Sequence, residues 1–155
     1  MIFQILIVDD EPHVVDTIRG ILEQQPEVDM EIHTAFRGQQ ALKICQQYPI
    51  QLLITDIRMP DMSGLELTKQ VRELAPDCDV ILLTAYSDFS YAYEGIQLQA
   101  SDYILKTEDK EIIRERIIKV LQRIEQNLRQ KSWLSAPEKS DPIGERLMKK
   151  ILVPQ

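Results

Sequence analysis

Short aliphatic runs alternate along the chain with segments in which apolar residues recur every three or four positions. The runs are residues 5–8, 52–55, 80–83 and 103–105, and an alternating apolar segment covers 30–35. Continuous aliphatic runs of this length are typical of strands buried on both faces of a parallel sheet, whereas the three-to-four spacing is typical of amphipathic helices. The pattern therefore predicts five strands, each followed by a helix.

The helical segments differ in length and in how they begin and end. Pro12 suits the first turn of the first helix, and Pro49 closes the second. The fourth helix is predicted from the spacing of Phe89, Ala92 and Ile96. The last helix carries the longest apolar stripe, which predicts core packing and a continuation as a linker helix or a dimer seam; the stripe is Ile113, Ile117, Leu121, Ile124 and Leu128.

Five strand–helix repeats predict an α/β fold: a five-stranded parallel sheet, doubly wound as (βα)5, with an extended C-terminal helix. We place one domain at residues 1–130. Residues 131–155 include a stretch rich in Ser, Pro and charge, and we interpret them as a linker or the start of an output domain that is missing from the chain.

Composition narrows the class of protein. The 155 residues carry a net charge of -7, with 44% apolar and 28% charged residues, as in soluble globular proteins. This acidity disfavours a nucleic-acid surface, so DNA contact is expected only through an output domain outside the chain. Cys45 and Cys78 form no CxxC pair, and no apolar stretch reaches about 20 residues. We therefore expect a cytoplasmic protein with no membrane association.

Polar residues stand directly after four of the predicted strands. Asp9 and Asp10 follow the first strand, Asp56 the third, Thr84 the fourth and Lys106 the fifth. The carboxyl ends of parallel strands meet at one edge of a sheet, which is where such folds bind ligands. Each residue alone would be an ordinary cap or turn residue. Their convergence predicts a functional site.

The chemistry of this set indicates a metal and a phosphoryl group. Clustered carboxylates repel one another unless a cation neutralises them, and Mg²⁺ prefers oxygen ligands. Lys106 and Thr84 are redundant for metal binding, but an ammonium and a hydroxyl suit the oxygens of a phosphoryl group. An aspartate can act as the nucleophile and form an acyl phosphate.

The order of these motifs resembles the receiver domain of response regulators in two-component systems. The resemblance covers about residues 3 to 128 and implies the flavodoxin-like receiver fold. Residues 84–89 (TAYSDF) are further similar to receivers that precede AraC-type DNA-binding domains. The motifs that carry the resemblance are Asp9-Asp10, residues 56–64 (DIRMPDMSG), Thr84-Ala85 and residues 103–106 (YILK).

The resemblance implies a role for each residue at the metal site. Asp9, Asp10 and Asp56 would hold Mg²⁺ together with the backbone carbonyl of Arg58. Asp56 would be the phosphoacceptor and would receive the phosphoryl group from a sensor histidine kinase. The protein would act as a signalling switch rather than as an enzyme.

The resemblance also implies how the signal leaves the site. Thr84 and Lys106 would contact the phosphoryl oxygens, and Thr84 would act with Tyr103 as a switch. The pair would bias a two-state surface formed by helix 4, strand 5 and helix 5. A homodimer through this surface is one arrangement that the resemblance implies, and the attached output is expected to control transcription.

Four positions bear on how closely the chain follows the family. Lys106 is followed by Thr107 where receivers usually have proline after a cis bond, so the bond is either a costly cis peptide or trans. Gln99 replaces a glycine after helix 4 and must take a positive φ unless the helix ends another way. Arg58 and Tyr86, two residues after Asp56 and Thr84, are neither carboxylates nor amides, which predicts slow hydrolysis of the acyl phosphate.

Three other functions are weighed against this one. Haloacid-dehalogenase-type phosphatases separate two carboxylates by one residue after strand one, whereas Asp9 and Asp10 are adjacent. A dinucleotide site would need a glycine-rich turn after strand one, and the chain has none there. The remaining alternative is a phosphorylation-independent interaction module of receiver-like fold, for which only Gln99 and Thr107 argue.

Overall fold

The structure is a computed structural model that describes residues 2–85 and 94–135, with side chains as far as residue 130. Phe89 and Ala92 of the predicted fourth helix, Tyr86, and most of the predicted linker lie outside the described residues.

The centre of the fold is one sheet of five parallel strands, as the sequence predicts. The strands lie in the order β2-β1-β3-β4-β5, so β1 and β3 are neighbours in the middle. The chain turns to one side after β1 and to the other after β3, which leaves a crevice at their carboxyl ends. The strands are β1 (Phe3–Val8), β2 (Met30–Ala35), β3 (Leu52–Asp56), β4 (Asp79–Thr84) and β5 (Asp102–Leu105).

Helices follow the strands along the chain. Pro12 begins the first helix, where its missing N–H costs nothing. The helices are α1 (Pro12–Glu23), α2 (Gly38–Gln47), α3 (Gly64–Leu74), α4 (the described helical residues 94–97) and α5 (Lys110–Ser135). Ile96, one position of the predicted apolar stripe, is 72% exposed and therefore lies outside the core.

The core fills both faces of the sheet. On one face, Leu6, Leu53 and Leu82 form a buried cluster with Leu67 of α3. Because side chains alternate along a strand, Ile5, Ile7 and Ile54 point to the opposite face, where they are fully buried. The continuous aliphatic runs of the sequence thus correspond to strands whose side chains are buried on both faces of the sheet.

The long last helix belongs to two compact units. One unit ends at Leu121 and includes the buried residues Ile113 and Ile117. The other begins at Gln122, and α5 continues through it to Ser135, so the predicted extension of the last helix is confirmed. The domain boundary at residue 130 stays a prediction. Among the described helices, none combines the length and the apolar composition that a membrane span requires.

The turn between α4 and β5 contains a residue with a positive φ, which is one of the two alternatives that the sequence allows at Gln99. Gln99 has a φ of 59°, the left-handed conformation that favours glycine. Arg72 of α3 supports this turn, because its guanidinium donates hydrogen bonds to the carbonyl oxygens of Leu98 (2.6 Å) and Gln99 (3.2 Å). The turn is therefore held from α3 despite its unfavourable residue.

Replacing Gln99 by glycine is expected to raise the free energy of unfolding by about 0.5–1 kcal/mol, because glycine adopts this φ without a steric penalty. Gln97→Gly is the matched control, since residue 97 is helical and glycine there should cost about 1 kcal/mol. Urea unfolding followed by circular dichroism measures both. A loss of stability in both variants would contradict the strain at Gln99.

Candidate functional site

Three carboxylates meet at the carboxyl edge of the sheet. Asp9 and Asp10 follow β1 and Asp56 ends β3, and one oxygen from each lies within 4.8 Å of the others. The neighbouring strands are in register, with Val8 beside Thr55, so their ends reach the same level. The convergence predicted from the sequence is therefore present at the crevice between β1 and β3.

Lys106 faces these carboxylates from the end of β5. Its Nζ lies 2.7 Å from Asp9 Oδ2 and 3.2 Å from Asp56 Oδ1. The ammonium also lies 3.4 Å from Glu11 Oε1. Glu11 is not among the predicted site residues, although its position directly after Asp10 was the available signal. The Lys106–Thr107 bond is trans, because the described chain contains no cis peptide.

Thr84 and Tyr103 lie on the neighbouring strands β4 and β5. Thr84 ends β4 and is 1% exposed, and its carbonyl oxygen accepts a hydrogen bond from the Lys106 amide at 2.7 Å. In the register of β4 and β5, Tyr103 pairs with Leu82 and Leu105 pairs with Thr84. Tyr103 therefore stands on the same face of the sheet as Thr84, on the neighbouring strand and two register positions further from the carboxyl edge. Tyr103 is partly buried against the core cluster.

Burial and neighbouring charges shift the pKa values of the ionisable side chains in this cluster. It raises the pKa of Asp56 to about 6, with the negative charge of Asp9 adding to the effect and Lys106 opposing it. Burial likewise raises the pKa of Asp9, although Lys106 again opposes it. Burial would lower the pKa of Lys106, but the carboxylates of Asp9 and Asp56 outweigh it and the pKa is raised.

The cluster suits a hard divalent cation. Asp9 Oδ2 is buried and accepts no well-directed hydrogen bond from the described residues, its contact with Lys106 being an ion pair. Three carboxylates opposite one ammonium leave a net negative charge when all are ionised. Carboxylate oxygens are the ligands that Mg²⁺ prefers, so the residues present fit this ion.

The loop after Asp56 is shaped by close backbone contacts. The Gly64 amide donates to the carbonyl oxygen of Ile57 at 2.7 Å, and the Ile57 amide donates to Asp56 Oδ1 at 2.9 Å. A Cβ on Gly64 would lie 2.0 Å from the carbonyl oxygen of Asp56. Glycine is therefore needed where the start of α3 meets the end of β3.

Comparisons with known proteins agree with this architecture. Residues 5–118 match the family model of the response regulator receiver domain. The transcriptional regulatory protein HptR of Staphylococcus aureus (strain NCTC 8325 / PS 47) is 38% identical over 122 residues, which cover 77% of this chain and 48% of that protein. The uncharacterized response regulatory protein SERP2406 of Staphylococcus epidermidis is 36% identical over 107 residues, covering 69% and 42%.

Two solved structures show the same fold. A CheY-like receiver domain protein from Methanospirillum hungatei JF-1 superposes with a TM-score of 0.73 at 28% identity, covering 82% of this chain and 99% of that one. The BeF3-activated receiver domain of DrrB superposes with a TM-score of 0.68 at 28% identity, covering 79% and 99%.

The chain belongs to the response regulator receiver domain family of two-component systems. Receivers of this family are partnered by histidine kinases and generally bind Mg²⁺ in an acidic pocket, and relatives of this chain include transcriptional regulators. The chain spans about half the length of the curated relatives it matches.

Asp56→Asn is expected to raise the free energy of unfolding at pH 7.5 by about 1–2 kcal/mol when Mg²⁺ is absent. The folded state holds the Asp56 proton more tightly than the unfolded state, so the wild type loses stability as the pH rises from about 4 through about 6. The gain is smaller than the pKa shift alone implies, because Lys106 loses one partner.

Urea unfolding at pH 4 and pH 7.5 measures this difference, which should shrink at the lower pH. Asp16→Asn is the control, since Asp16 is an exposed residue of α1. An Asn variant that is less stable than the wild type at pH 7.5 would contradict the cost of the buried charge.

Proposed function

We propose that this receiver accepts a phosphoryl group from a sensor histidine kinase on Asp56, with Mg²⁺, and that it thereby controls an attached output. The observation that supports this most directly is the contact of Lys106 Nζ with Asp56 Oδ1 at 3.2 Å, beside the acidic cluster. A nucleophilic carboxylate, a cation for the phosphoryl oxygens and a set of metal ligands then occupy one crevice.

The metal would be held by Asp9, Asp10, Asp56 and the backbone carbonyl of Arg58. When bound, Mg²⁺ supplies positive charge that lessens the repulsion between the carboxylate and the incoming phosphoryl group. Binding of this cation would also explain why three carboxylates are gathered at one edge of the sheet.

The transfer itself uses the side chains of this chain. An Asp56 carboxylate oxygen forms a bond to phosphorus while the bond from phosphorus to the kinase histidine nitrogen breaks, and the electron pair stays with the histidine. Lys106 neutralises charge on the phosphoryl oxygens, and the Thr84 hydroxyl donates a hydrogen bond to one of them. No proton needs to leave Asp56, because the carboxylate is ionised above its pKa of about 6.

The signal would leave through Thr84 and Tyr103. Thr84 moves toward the phosphoryl group and Tyr103, on the same face, takes the space it vacates. The affected surface is α4–β5–α5, where Arg116 of α5 binds both carboxylate oxygens of Asp102 in β5 at 2.6 and 2.9 Å. We propose a homodimer through this surface in the phosphorylated state.

The output lies beyond this chain. The transcriptional regulatory protein HptR is about twice the length that this chain matches, which supports an output that regulates transcription, of AraC type by the resemblance of residues 84–89. Residues 131–155 would be the linker to it or its first segment, and DNA would be contacted only by that domain.

The acyl phosphate is expected to decay over minutes rather than seconds in the isolated chain, because the side chain of Arg58 is a poor group for aligning the attacking water. Arg58→Asn, which places an amide there, should shorten the lifetime. Intact mass followed over time after removal of the phosphodonor measures both. A wild-type half-life of seconds, or an Asn variant with an unchanged lifetime, would contradict this.

A phosphoryl mimic tests the proposed function without a kinase. Added to a ¹⁵N-labelled sample that already contains saturating Mg²⁺, fluoroberyllate should shift the backbone amide signals at Asp56, Thr84 and Lys106 and along α5 up to Leu121. The same addition with EDTA in place of Mg²⁺, or to Asp56→Asn, should leave these signals unchanged. A wild type that does not respond would favour the phosphorylation-independent interaction module.

A further inference from the structure

The first turn of α2 is capped by a residue from a distant loop. Arg37, the residue before the helix, makes no side-chain cap. Instead Asp61, in the loop between β3 and α3, accepts hydrogen bonds from the amides of Gly38 (3.0 Å, Oδ1) and Gln39 (2.9 Å, Oδ2). Both oxygens of one carboxylate thus satisfy amides that a helix N-terminus otherwise leaves unpaired.

The side chain next to Asp61 strengthens this contact. Met62 packs where a side chain on Gly38 would be, because an ideal Cβ there would lie 2.3 Å from Met62 Cγ. Met62 is also partly buried against the core cluster. The tip of the loop is therefore fixed to α2 by both a polar and an apolar contact.

The same loop is closed at its base beside the phosphoacceptor. The Gly64 amide donates to the Ile57 carbonyl at 2.7 Å, and the Ile57 amide donates to Asp56 Oδ1. Arg58 lies between this closed base and the tip held by Asp61. The backbone of Arg58, which carries the proposed carbonyl ligand, is therefore held from both sides.

We infer that Asp61 is a positioning residue for the Mg²⁺ site: by capping α2 it holds the loop that presents the Arg58 carbonyl. This inference rests on the proposed function, because it concerns the metal ligand that the function requires. Groups that orient metal ligands typically contribute about 10–100-fold to metal affinity. Since one of four proposed ligands is concerned, we expect a change of about tenfold.

The test is a titration of the ¹⁵N-labelled full chain with MgCl₂ at 0.15 M NaCl, with the Kd taken from backbone amide shifts. Asp61→Ala should raise the Kd about tenfold. Asp61→Asn keeps one acceptor oxygen and should give an intermediate Kd. An Asn variant that folds and binds Mg²⁺ as tightly as the wild type would overturn the inference, whatever the Ala variant does.

Two matched variants separate positioning from stability and from charge. Gln40→Ala removes another hydrogen bond at the start of α2, from the Phe36 amide to Gln40 Oε1, without touching the loop. Glu66→Gln removes an exposed negative charge in the first turn of α3. Both should leave the Kd within about twofold. Gln40→Ala changes no charge and removes no contact of the loop, and the exposed charge of Glu66 is largely screened at this ionic strength. A rise in either variant equal to that of Asp61→Ala would overturn the inference.

Phosphorylation by acetyl phosphate gives a second readout. The Asp61→Ala variant should react slowly at limiting Mg²⁺ and approach the wild-type rate at saturating Mg²⁺, since Asp56 and Lys106 are unchanged. A rate that stays low at saturation would overturn a role confined to positioning. If the wild type itself shows neither Mg²⁺ shifts nor phosphorylation, the proposed function is wrong and the inference falls with it.

Discussion

Lys106→Met is expected to lower the free energy of unfolding by about 3 kcal/mol when no divalent cation is present. The variant leaves Asp9 and Asp56, which are 0% and 5% exposed, facing each other without the ammonium between them. Removing one partner of a buried ion pair costs more than the pair contributes, because the remaining charge stays desolvated. Methionine keeps the length of the side chain, so the loss is one of charge.

The loss should depend on pH and on metal. Without the ammonium, the pKa values of both carboxylates rise further in the folded state, so the variant loses stability as the pH rises, and the gap to the wild type is larger at pH 8 than at pH 5. Mg²⁺ should recover part of the loss, since it supplies positive charge at the same carboxylates.

Urea unfolding at pH 5 and pH 8, with and without MgCl₂, measures these effects. Lys43→Met is the matched control, because Lys43 is an exposed residue of α2. A Lys106 variant as stable as the Lys43 variant would show that the ammonium does not balance the buried carboxylates.

Gly64→Ala is expected to lower the free energy of unfolding by about 3 kcal/mol and to slow the phosphorylation of Asp56. The added methyl group would lie 2.0 Å from the Asp56 carbonyl oxygen and 3.1 Å from the Cα of Ile57, both backbone atoms. Because neither can move aside as a side chain would, the backbone of Asp56, the proposed phosphoacceptor, must shift. The variant thus affects the fold and the site together.

Gly20→Ala is the matched control for this substitution. Gly20 lies within α1, and a Cβ there would meet nothing within 4 Å, so alanine should stabilise the helix by about 0.5–1 kcal/mol. Urea unfolding measures both variants, and intact mass after reaction with acetyl phosphate follows the site. Equal stability of the two variants would contradict the tight approach of α3 to β3.

The sequence predicts the sheet well, because its signals are local. Runs of aliphatic residues mark strands buried on both faces, and residues 30–35 were predicted as a strand with the bounds that the structure shows. The meeting of Asp9, Asp10 and Asp56 followed from the same reasoning, since parallel strands end at one edge. The first strand begins at Phe3, two residues earlier than its aliphatic run.

Contacts between distant segments were beyond the reach of the pattern. Asp61 caps a helix more than twenty positions earlier in the chain, and nothing local to either segment signals this. The hydrogen bonds from Arg72 to the carbonyl oxygens of Leu98 and Gln99 could not be predicted either, because they also join segments that are distant in the sequence. The sequence could not decide whether the Lys106–Thr107 bond is cis or trans, because it sets only the energetic preference between the two isomers. The contacts of Lys106 Nζ depend in turn on how the folded loop places the side chain.

The measurement that tests the central claim most directly is intact mass after incubation with acetyl phosphate and Mg²⁺, on the wild type and on Asp56→Asn. The account predicts a gain of one phosphoryl group in the wild type, its loss when EDTA replaces Mg²⁺, and no gain in the Asn variant. No gain in a folded wild type, or an equal gain in Asp56→Asn, would contradict it.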